Sequence, residues 1–298
     1  MNAISGRDSS RLSKNFLAGL CATAVVALCS LDVHAASMTQ GGLTVNIRNN
    51  NGAIDSVVYD GKDFFGGGTA VSDWGLSGPG FTIRGTNASG TPAPTTVTMN
   101  GGDVVVTTSY FGIAVKRTYS IVDGLDVLRT TTTLTNNSGS AKIVRLYDAF
   151  DADQDAPANF RTLNDVFALA GATVAQAEGP ISGYTSLLGS SIQPSVTGFL
   201  AGTALGIFSS TGLNNFMNAP TDPNGALADK GYVIANLLSI GNGGKVKVSF
   251  DHAFGASELD AQMAFTLAQS IVDVPEPASL AILGLGLLGL AAARRRRA

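Results

Sequence analysis

The stretch FGIAVKRTYSIVDGLDVLRTTTTLT, residues 111–135, constrains the fold of this chain more than any other. Its two halves, 111–122 and 125–135, alternate apolar and polar residues, which is the period of a half-buried β-strand. The dipeptide Asp123-Gly124 between them suits a tight hairpin turn. AKIVRLYDAF, residues 141–150, follows a second turn, so three long strands in succession predict an antiparallel meander.

The same pattern continues on both sides of this region. Leu43–Ile47 alternates strictly, and 36 of the 298 residues are glycine, well above the usual share of about 7%. Many β-branched residues between many glycine turns predict an all-β protein with an antiparallel β-sandwich body. Residues 164–178 and 256–269 fit a helix or a strand; we favour strand for both, with a short turn of helix near Ser257.

The N-terminus has the pattern of a secretory signal peptide. Three basic residues precede the uncharged segment Phe16–Leu31, and small residues follow at Ala35 and Ala36. An uncleaved membrane anchor is the alternative, but sixteen apolar residues are few for a span, which favours cleavage after Ala35. We therefore predict a signal peptide over residues 1–36 and a body over 37–272.

Both cysteines of the chain, Cys21 and Cys29, lie inside this predicted signal peptide. The mature chain then contains no cysteine, so it forms neither a disulfide nor a thiolate metal site. We expect its stability to come from an ordinary apolar core, for which the body is long enough.

The C-terminus, residues 273–298, combines a short motif, an apolar run and a basic end. The motif is Val274, Pro275, Glu276 and Pro277, and the basic end is Arg294, Arg295, Arg296 and Arg297. The uncharged residues between them, Ala278–Ala293, predict a short hydrophobic helix of about 24 Å, with the arginines on the cytoplasmic side of a membrane. A nucleic-acid site is the alternative for the arginines; their direct junction with an apolar run and the net charge of −3 argue against it.

This tail resembles the PEP-CTERM sorting signal of Gram-negative bacteria. The resemblance implies an exported protein that is first held in the inner membrane by its tail and then processed by a membrane transpeptidase, the exosortase. It further implies a final location at the cell surface or outside the cell. Because the family commonly accompanies exopolysaccharide and biofilm production, polysaccharide is the implied partner of the body.

The body has a second resemblance, carried by GGLTVNI with GAIDSVVYDGKDFF and by YSIVDGLDVLRTTTTLTNNSG. These segments are similar in strand cadence to the β-supersandwich of galactose-mutarotase-like carbohydrate proteins, whose enzymes use histidines together with a carboxylate. The body has one histidine, His252. We therefore name no catalytic residue and favour a structural or glycan-associated role, with a carbohydrate-active enzyme as the alternative.

The densest acidic group of the chain lies in YDAFDADQDAPANF, residues 147–160, and consists of Asp148, Asp151, Asp153 and Asp155. The spacing of Asp151, Asp153 and Asp155 sends alternate carboxylates to one side of an extended loop, where they suit a hard cation such as Ca²⁺. The alternative is an acidic surface loop that pairs with Arg145 or Arg161. We predict no other cofactor.

Five aromatic positions are candidates for stacking on a sugar ring. The alternative is that these rings belong to the core, as aromatic side chains of a sandwich usually do. They are Phe64, Phe65, Trp74, Phe81 and Tyr184.

Overall fold

The structure is a computed structural model that describes residues 36–65, 72–86, 95–201 and 210–271. Residues 1–35 of the predicted signal peptide lie outside these residues, and so does the tail, for which the sequence predicts a short hydrophobic helix. Neither of the two helices that the structure describes is long and apolar enough to cross a membrane.

The described residues form β-strands and two short helices. In chain order the strands are β1 (Ala36–Gln40), β2 (Leu43–Ile47), β3 (Ile54–Tyr59), β4 (Lys62–Asp63), β5 (Ser72–Gly78), β6 (Phe81–Thr86), β7 (Thr96–Asn100), β8 (Asp103–Tyr110), β9 (Ile113–Ile121), β10 (Val127–Asn136), β11 (Lys142–Phe150), β12 (Thr162–Leu169), β13 (Ala172–Glu178), β14 (Thr185–Ser190), β15 (Val196–Ala201), β16 (Ala226–Ala228), β17 (Lys230–Ile240) and β18 (Lys245–Gly255). The helices are α1 (Ser210–Asn218) and α2 (Glu258–Ser270).

The strands form three antiparallel sheets, which confirms the predicted all-β class. A nine-stranded sheet has the order β16-β12-β13-β14-β18-β10-β9-β8-β7, and a five-stranded sheet has the order β15-β17-β11-β5-β6. A four-stranded sheet, β1 to β4, adds its buried side chains to the same core. Buried and half-buried residues alternate along β10, as they should in a strand with one face on the core.

The predicted meander is correct for β9 and β10 but wrong for the third strand. β9 and β10 pair as a hairpin, whereas β10 has β18 as its other neighbour. β11 crosses to the five-stranded sheet and pairs there with β5 and β17. Its residues 146–150 are all buried, which is typical of a strand covered on both faces. The alternation of apolar and polar residues therefore predicts that β11 is a strand, but it does not indicate which sheet the strand joins.

The two segments whose sequences fit either a helix or a strand have different structures. Residues 164–178 form the hairpin of β12 and β13, as predicted. The prediction of strand for residues 256–269 is wrong, because they form α2. Ser257 caps this helix by accepting a hydrogen bond from the backbone N–H of Asp260, and Ala261, Phe265 and Ala268 bury one side of it. α2 covers the outer face of the nine-stranded sheet, and α1 covers the five-stranded sheet through Leu213 and Phe216.

A buried ion pair connects the two large sheets. Arg117 of β9 is almost fully buried, and its Nη2 donates to both carboxylate oxygens of Asp148 in β11, at 2.8 and 2.7 Å. The guanidinium also donates to the Tyr119 hydroxyl and to Thr132, and it lies over the Trp74 ring at 5.5 Å. Asp148 therefore pairs with an arginine of the facing sheet, and the sequence alternative of Arg145 or Arg161 is wrong for this residue.

Candidate functional site

The acidic loop begins where β11 ends and carries the chain from the five-stranded sheet to the nine-stranded sheet. Hydrogen bonds fix its backbone and one side chain. The N–H of Asp153 donates to the Phe64 carbonyl at 2.8 Å, and the amide nitrogen of Gln154 donates to the carbonyls of Ala177 and Tyr184. The loop is thus held in place against two neighbouring segments, and its carboxylates have defined positions.

The pairing of β11 with β17 brings a third aspartate to this loop. The last registered pair is Phe150 with Tyr232. Asp151 and Asp153 follow the end of β11, and Asp229 directly precedes β17. Because the two strands are antiparallel neighbours, both segments lie at the same end of the pair. Asp229 has no local signal in the sequence, because only the pairing of β11 with β17 brings it to Asp153, which lies 76 residues earlier.

Asp151, Asp153 and Asp229 form a compact set of oxygen ligands. One carboxylate oxygen from each lies within 4.8 Å of the other two. Asp151 and Asp153 are buried, and Asp229 is exposed, so the cluster opens to solvent on the side of Asp229. Carboxylate oxygens on opposite sides of a Ca²⁺ ion, each at about 2.4 Å, are about 4.8 Å apart. The spacing of the three oxygens therefore suits this ion.

The buried oxygens of this loop lack hydrogen bonds. Within the described parts of the chain, the buried side-chain atoms without a hydrogen-bond partner are Oδ1 of Asp151, Oδ1 of Asp153 and Oε1 of Gln154. All three belong to consecutive or alternate residues of the one loop. Buried polar atoms in proteins are nearly always satisfied by a partner, which includes an ion. These atoms are a second observation, independent of the clustering, that favours a bound cation.

The cluster is costly to ionise without a counter-charge. Burial, with repulsion from Asp153 and Asp229, raises the pKa of Asp151 to about 8. Burial, with repulsion from Asp229, raises the pKa of Asp153 to about 7. A cation between the carboxylates supplies the counter-charge that offsets burial and repulsion, so protons and a metal ion compete for the same oxygens.

Asp155, the third residue of the predicted calcium site, points to a different partner. Its Oδ2 accepts hydrogen bonds from the backbone N–H groups of Ile181 and Ser182, and its Oδ1 lies 3.4 Å from the ammonium of Lys62. Burial alone would raise the pKa of Asp155, but the bonds from Ser182 and Ile181, together with Lys62, lower it below its ordinary value. Asp155 therefore fastens the loop to the turn between β13 and β14. Asp229 is the third carboxylate of the cluster, a place that the sequence predicted for Asp155.

His252 lies in β18 near its end and is buried among aromatic side chains. Its Nε2 contacts the hydroxyl of Tyr232, which donates to Ser186 at 3.0 Å. The edge of the Phe150 ring packs against the imidazole at 4.4 Å. Burial lowers the pKa of His252 to about 3, so the ring is neutral at physiological pH. These contacts give His252 the surroundings of a core residue.

The candidate sugar-stacking rings separate into two groups. Phe64, Phe65 and Trp74 are buried in the core, and Tyr184 packs against Phe64. Phe81 instead supports a ring at the surface: Phe111 stacks on it at 5.2 Å with an angle of 12°. Phe111 is 57% exposed, and Tyr110 beside it is 39% exposed. We call Phe81, Tyr110 and Phe111 the aromatic patch.

The backbone at Phe111 is unusual for so large a side chain. Phe111 and Gly112 form the two-residue turn between β8 and β9, with φ of 49° and 76°. Such turns favour Asn, Asp or Gly at the first position, because a positive φ is unfavourable for bulky residues. Gly112 is required as well, since a Cβ there would lie 2.7 Å from Ser138. The turn accepts local strain while it presents an aromatic ring to solvent.

Comparison with known proteins identifies the tail. Residues 273–297 match the model of the PEP-CTERM protein-sorting motif, which confirms the resemblance inferred from the sequence. The motif indicates a secreted protein that an exosortase processes. No curated protein sequence matches this chain.

Solved structures resemble the fold of the body. A bacterial glucoamylase in complex with acarbose superposes with a TM-score of 0.53 and 12% identity, covering 80% of this chain and 35% of that chain. The present chain thus spans about a third of that enzyme, and at this identity the likeness concerns the fold alone.

Galactose mutarotase-like proteins are also among the similar structures, as the second resemblance implies. A putative aldose 1-epimerase from Escherichia coli K12 has a TM-score of 0.43 and 10% identity, covering 74% of this chain and 98% of that chain. A galactose mutarotase-like protein from Lactobacillus casei ATCC 334 has the same TM-score and identity, covering 74% of this chain and 100% of that chain.

Proposed function

We propose that this protein is a structural component of the cell surface or of an extracellular polysaccharide matrix. An exosortase processes its PEP-CTERM tail, and its β-sandwich body binds Ca²⁺ through Asp151, Asp153 and Asp229. The observation that carries the calcium site is that Asp151 and Asp153 each have a buried Oδ1 that accepts no hydrogen bond, in a cluster where one carboxylate oxygen of each lies within 4.8 Å of one of Asp229.

The bound ion has a structural role in this proposal. Asp151 and Asp153 belong to the crossover between the two large sheets, and Asp229 belongs to the segment that enters β17. An ion held by all three carboxylates ties the crossover to β17 and neutralises charges that otherwise oppose burial. Oxygen-only ligands and partial exposure suit a calcium site outside the cell, where the concentration of free Ca²⁺ sustains weak binding.

The test is the thermal stability of the mature chain with Ca²⁺ and with a chelator. A ligand at 100 times its Kd stabilises the folded state by about 2.7 kcal/mol. For a domain of this size, that shift raises Tm by about 5–11 °C. The variant Asp151→Asn/Asp153→Asn should abolish the response to Ca²⁺.

Two control variants make this test specific. Asp123→Asn removes an equally negative but exposed group from the turn after β9, and it should respond to Ca²⁺ as the parent does. Asp155→Asn should lower Tm yet retain the response, because Asp155 holds Lys62 and the 181–182 backbone instead of the ion. An equal calcium response in the parent and in Asp151→Asn/Asp153→Asn would contradict the site.

The aromatic patch supports the glycan-associated part of the proposal. A flat, exposed ring that is backed by a second ring offers the apolar face of a sugar a large contact area at little cost in side-chain entropy. We expect Phe111→Ala to weaken retardation of the mature chain in native gels that contain amylose, dextran or a β-glucan. Ile143→Ala, which also truncates an exposed apolar side chain, is the matched control. Equal mobility of Phe111→Ala and the parent in every retarding gel would exclude the patch.

A further inference from the structure

Helix α2 has two apolar sides. Its inner side, with Ala261, Phe265 and Ala268, is buried on the nine-stranded sheet. Its outer side carries apolar residues at every fourth position, each between 50 and 64% exposed: Leu259, Met263, Leu267 and Ile271. We call these four residues the outer stripe. A surface helix normally turns polar residues outward, and a helix that is apolar on all sides is normally covered.

The outer stripe cannot turn inward. Phe265 occupies space left by Gly189 of β14, where a Cβ would lie 2.3 Å from the ring. Arg129 donates to the carbonyl of Ala268 at 2.7 Å, and Gln269 donates to Asp251 at 2.7 Å. These contacts fix the rotation of the helix about its axis. The stripe therefore remains on the outside from Leu259 to Ile271, and a rise of 1.5 Å per residue makes it about 18 Å long.

The charges of α2 are confined to its first turn. Glu258 and Asp260 lie there, and the rest of the helix carries no charged residue. The end of the stripe at Ile271 is therefore the part that lies farthest from these charges. Ala278, where the uncharged run of the tail begins, follows seven residues later. Seven extended residues span at most about 25 Å, so a tail in a bilayer keeps Ile271 close to the membrane surface.

We propose that, in the membrane-anchored precursor, the outer stripe of α2 lies in the interfacial layer of the bilayer that holds the tail. This inference rests on the proposed function, because it requires the tail to be inserted in the membrane before the exosortase processes it. Apolar helix faces bury about 5–10 Å into this layer. The contact orients the body so that Val274–Pro277 lies at the membrane surface, where a membrane enzyme acts. After cleavage the stripe alone holds the body weakly, and the protein leaves the membrane.

A single-cysteine experiment tests the contact in the full chain. Cys21→Ala and Cys29→Ala remove the native thiols, and Met263→Cys then provides one site for an environment-sensitive fluorophore. Asn242→Cys, in the exposed turn between β17 and β18, is the matched control. The chain is produced in a host without an exosortase, so that the tail stays uncut. We expect spin-labelled lipid to quench the fluorophore at position 263 at least threefold more strongly than at position 242.

The outcomes separate the inference from the proposal on which it rests. If the uncut chain remains in salt-washed membranes but both positions are quenched equally, the stripe is in water, and the inference is wrong although anchoring stands. If oxidation of the unlabelled Met263→Cys chain yields a disulfide-linked dimer, a second copy covers the stripe, and the inference is again wrong. A chain absent from the membrane fraction contradicts anchoring itself, and the inference with it.

Discussion

Replacement of Asp148 by asparagine should destabilise the body strongly, because it leaves the charge of Arg117 buried without a counter-charge. Both side chains lie between the two large sheets, and the Arg117 guanidinium is almost fully buried. Asparagine keeps the shape of aspartate and one acceptor oxygen. Asp148→Asn therefore removes the negative charge while it leaves the packing around Trp74 nearly unchanged.

The expected magnitude follows from the burial of the pair. Removing one partner of a buried ion pair costs about 3–5 kcal/mol, against a total stability of about 5–15 kcal/mol for a typical domain. At about 2–4 °C per kcal/mol for a domain of this size, Tm should fall by about 6–20 °C. The surface pair of Arg48 and Asp55, about a third exposed, is the control; Asp55→Asn should cost less than about 1 kcal/mol.

The assay is urea unfolding followed by tryptophan fluorescence. Trp74 is the sole tryptophan of the chain, is buried, and lies 5.5 Å from the Arg117 guanidinium, so its emission reports on this part of the core. The double variant Arg117→Met/Asp148→Leu removes both charges and should be more stable than Asp148→Asn. A loss below 1 kcal/mol in Asp148→Asn, or a double variant less stable than it, would refute the reasoning.

Three further predictions concern the acidic cluster and the two ends of the chain. Folded Asp151 and Asp153 keep their protons to a higher pH than in the unfolded chain, so stability without Ca²⁺ should fall as pH rises from about 4 to about 8. Calorimetry should accordingly show a larger loss on chelation at pH 8 than at pH 5, and a smaller loss at pH 8 would contradict the shifted pKa values. N-terminal sequencing of the exported protein should begin at Ala36 or within two residues of it, where β1 starts; recovery of the uncut N-terminus would exclude the signal peptide. Replacing Pro275–Pro277 with Ala-Gln-Ala should leave the C-terminus uncut in immunoblots of an exosortase-containing host, whereas deletion of Arg294–Arg297 should instead impair membrane retention. Normal processing of the triple variant would mean that no enzyme recognises the motif.

The candidate site was predictable in part. The spacing of Asp151 and Asp153 indicated a shared face, because alternate residues of an extended segment point the same way. The same argument included Asp155, yet the turns that follow Asp153 break the extended geometry, and the carboxylate of Asp155 meets Lys62 and the 181–182 backbone. Asp229 carried no local signal at all, since only the pairing of β11 with β17 brings it to the loop.

Helix α2 illustrates a different limit. The sequence indicates a turn of helix near Ser257, but apolar residues on both sides of the helix obscure its 3.6-residue period, so the pattern favours a strand. The residues that obscure the period are those of the outer stripe. A local rule failed here because the outer face of the helix does not follow the pattern of a helix surrounded by water.

The sequence by itself determined the class of the fold and the presence of the PEP-CTERM sorting motif. Strand alternation and turn residues act between near neighbours, and a sorting motif is a linear segment that an enzyme contacts directly, so both can be read along the chain. The tertiary structure alone decided that β11 joins the second sheet, that Arg117 pairs with Asp148, and that Asp229 completes the acidic cluster. Each of these depends on which distant strands pair or face one another. That arrangement is determined by how the apolar residues of all the strands are buried together, and no single segment specifies it.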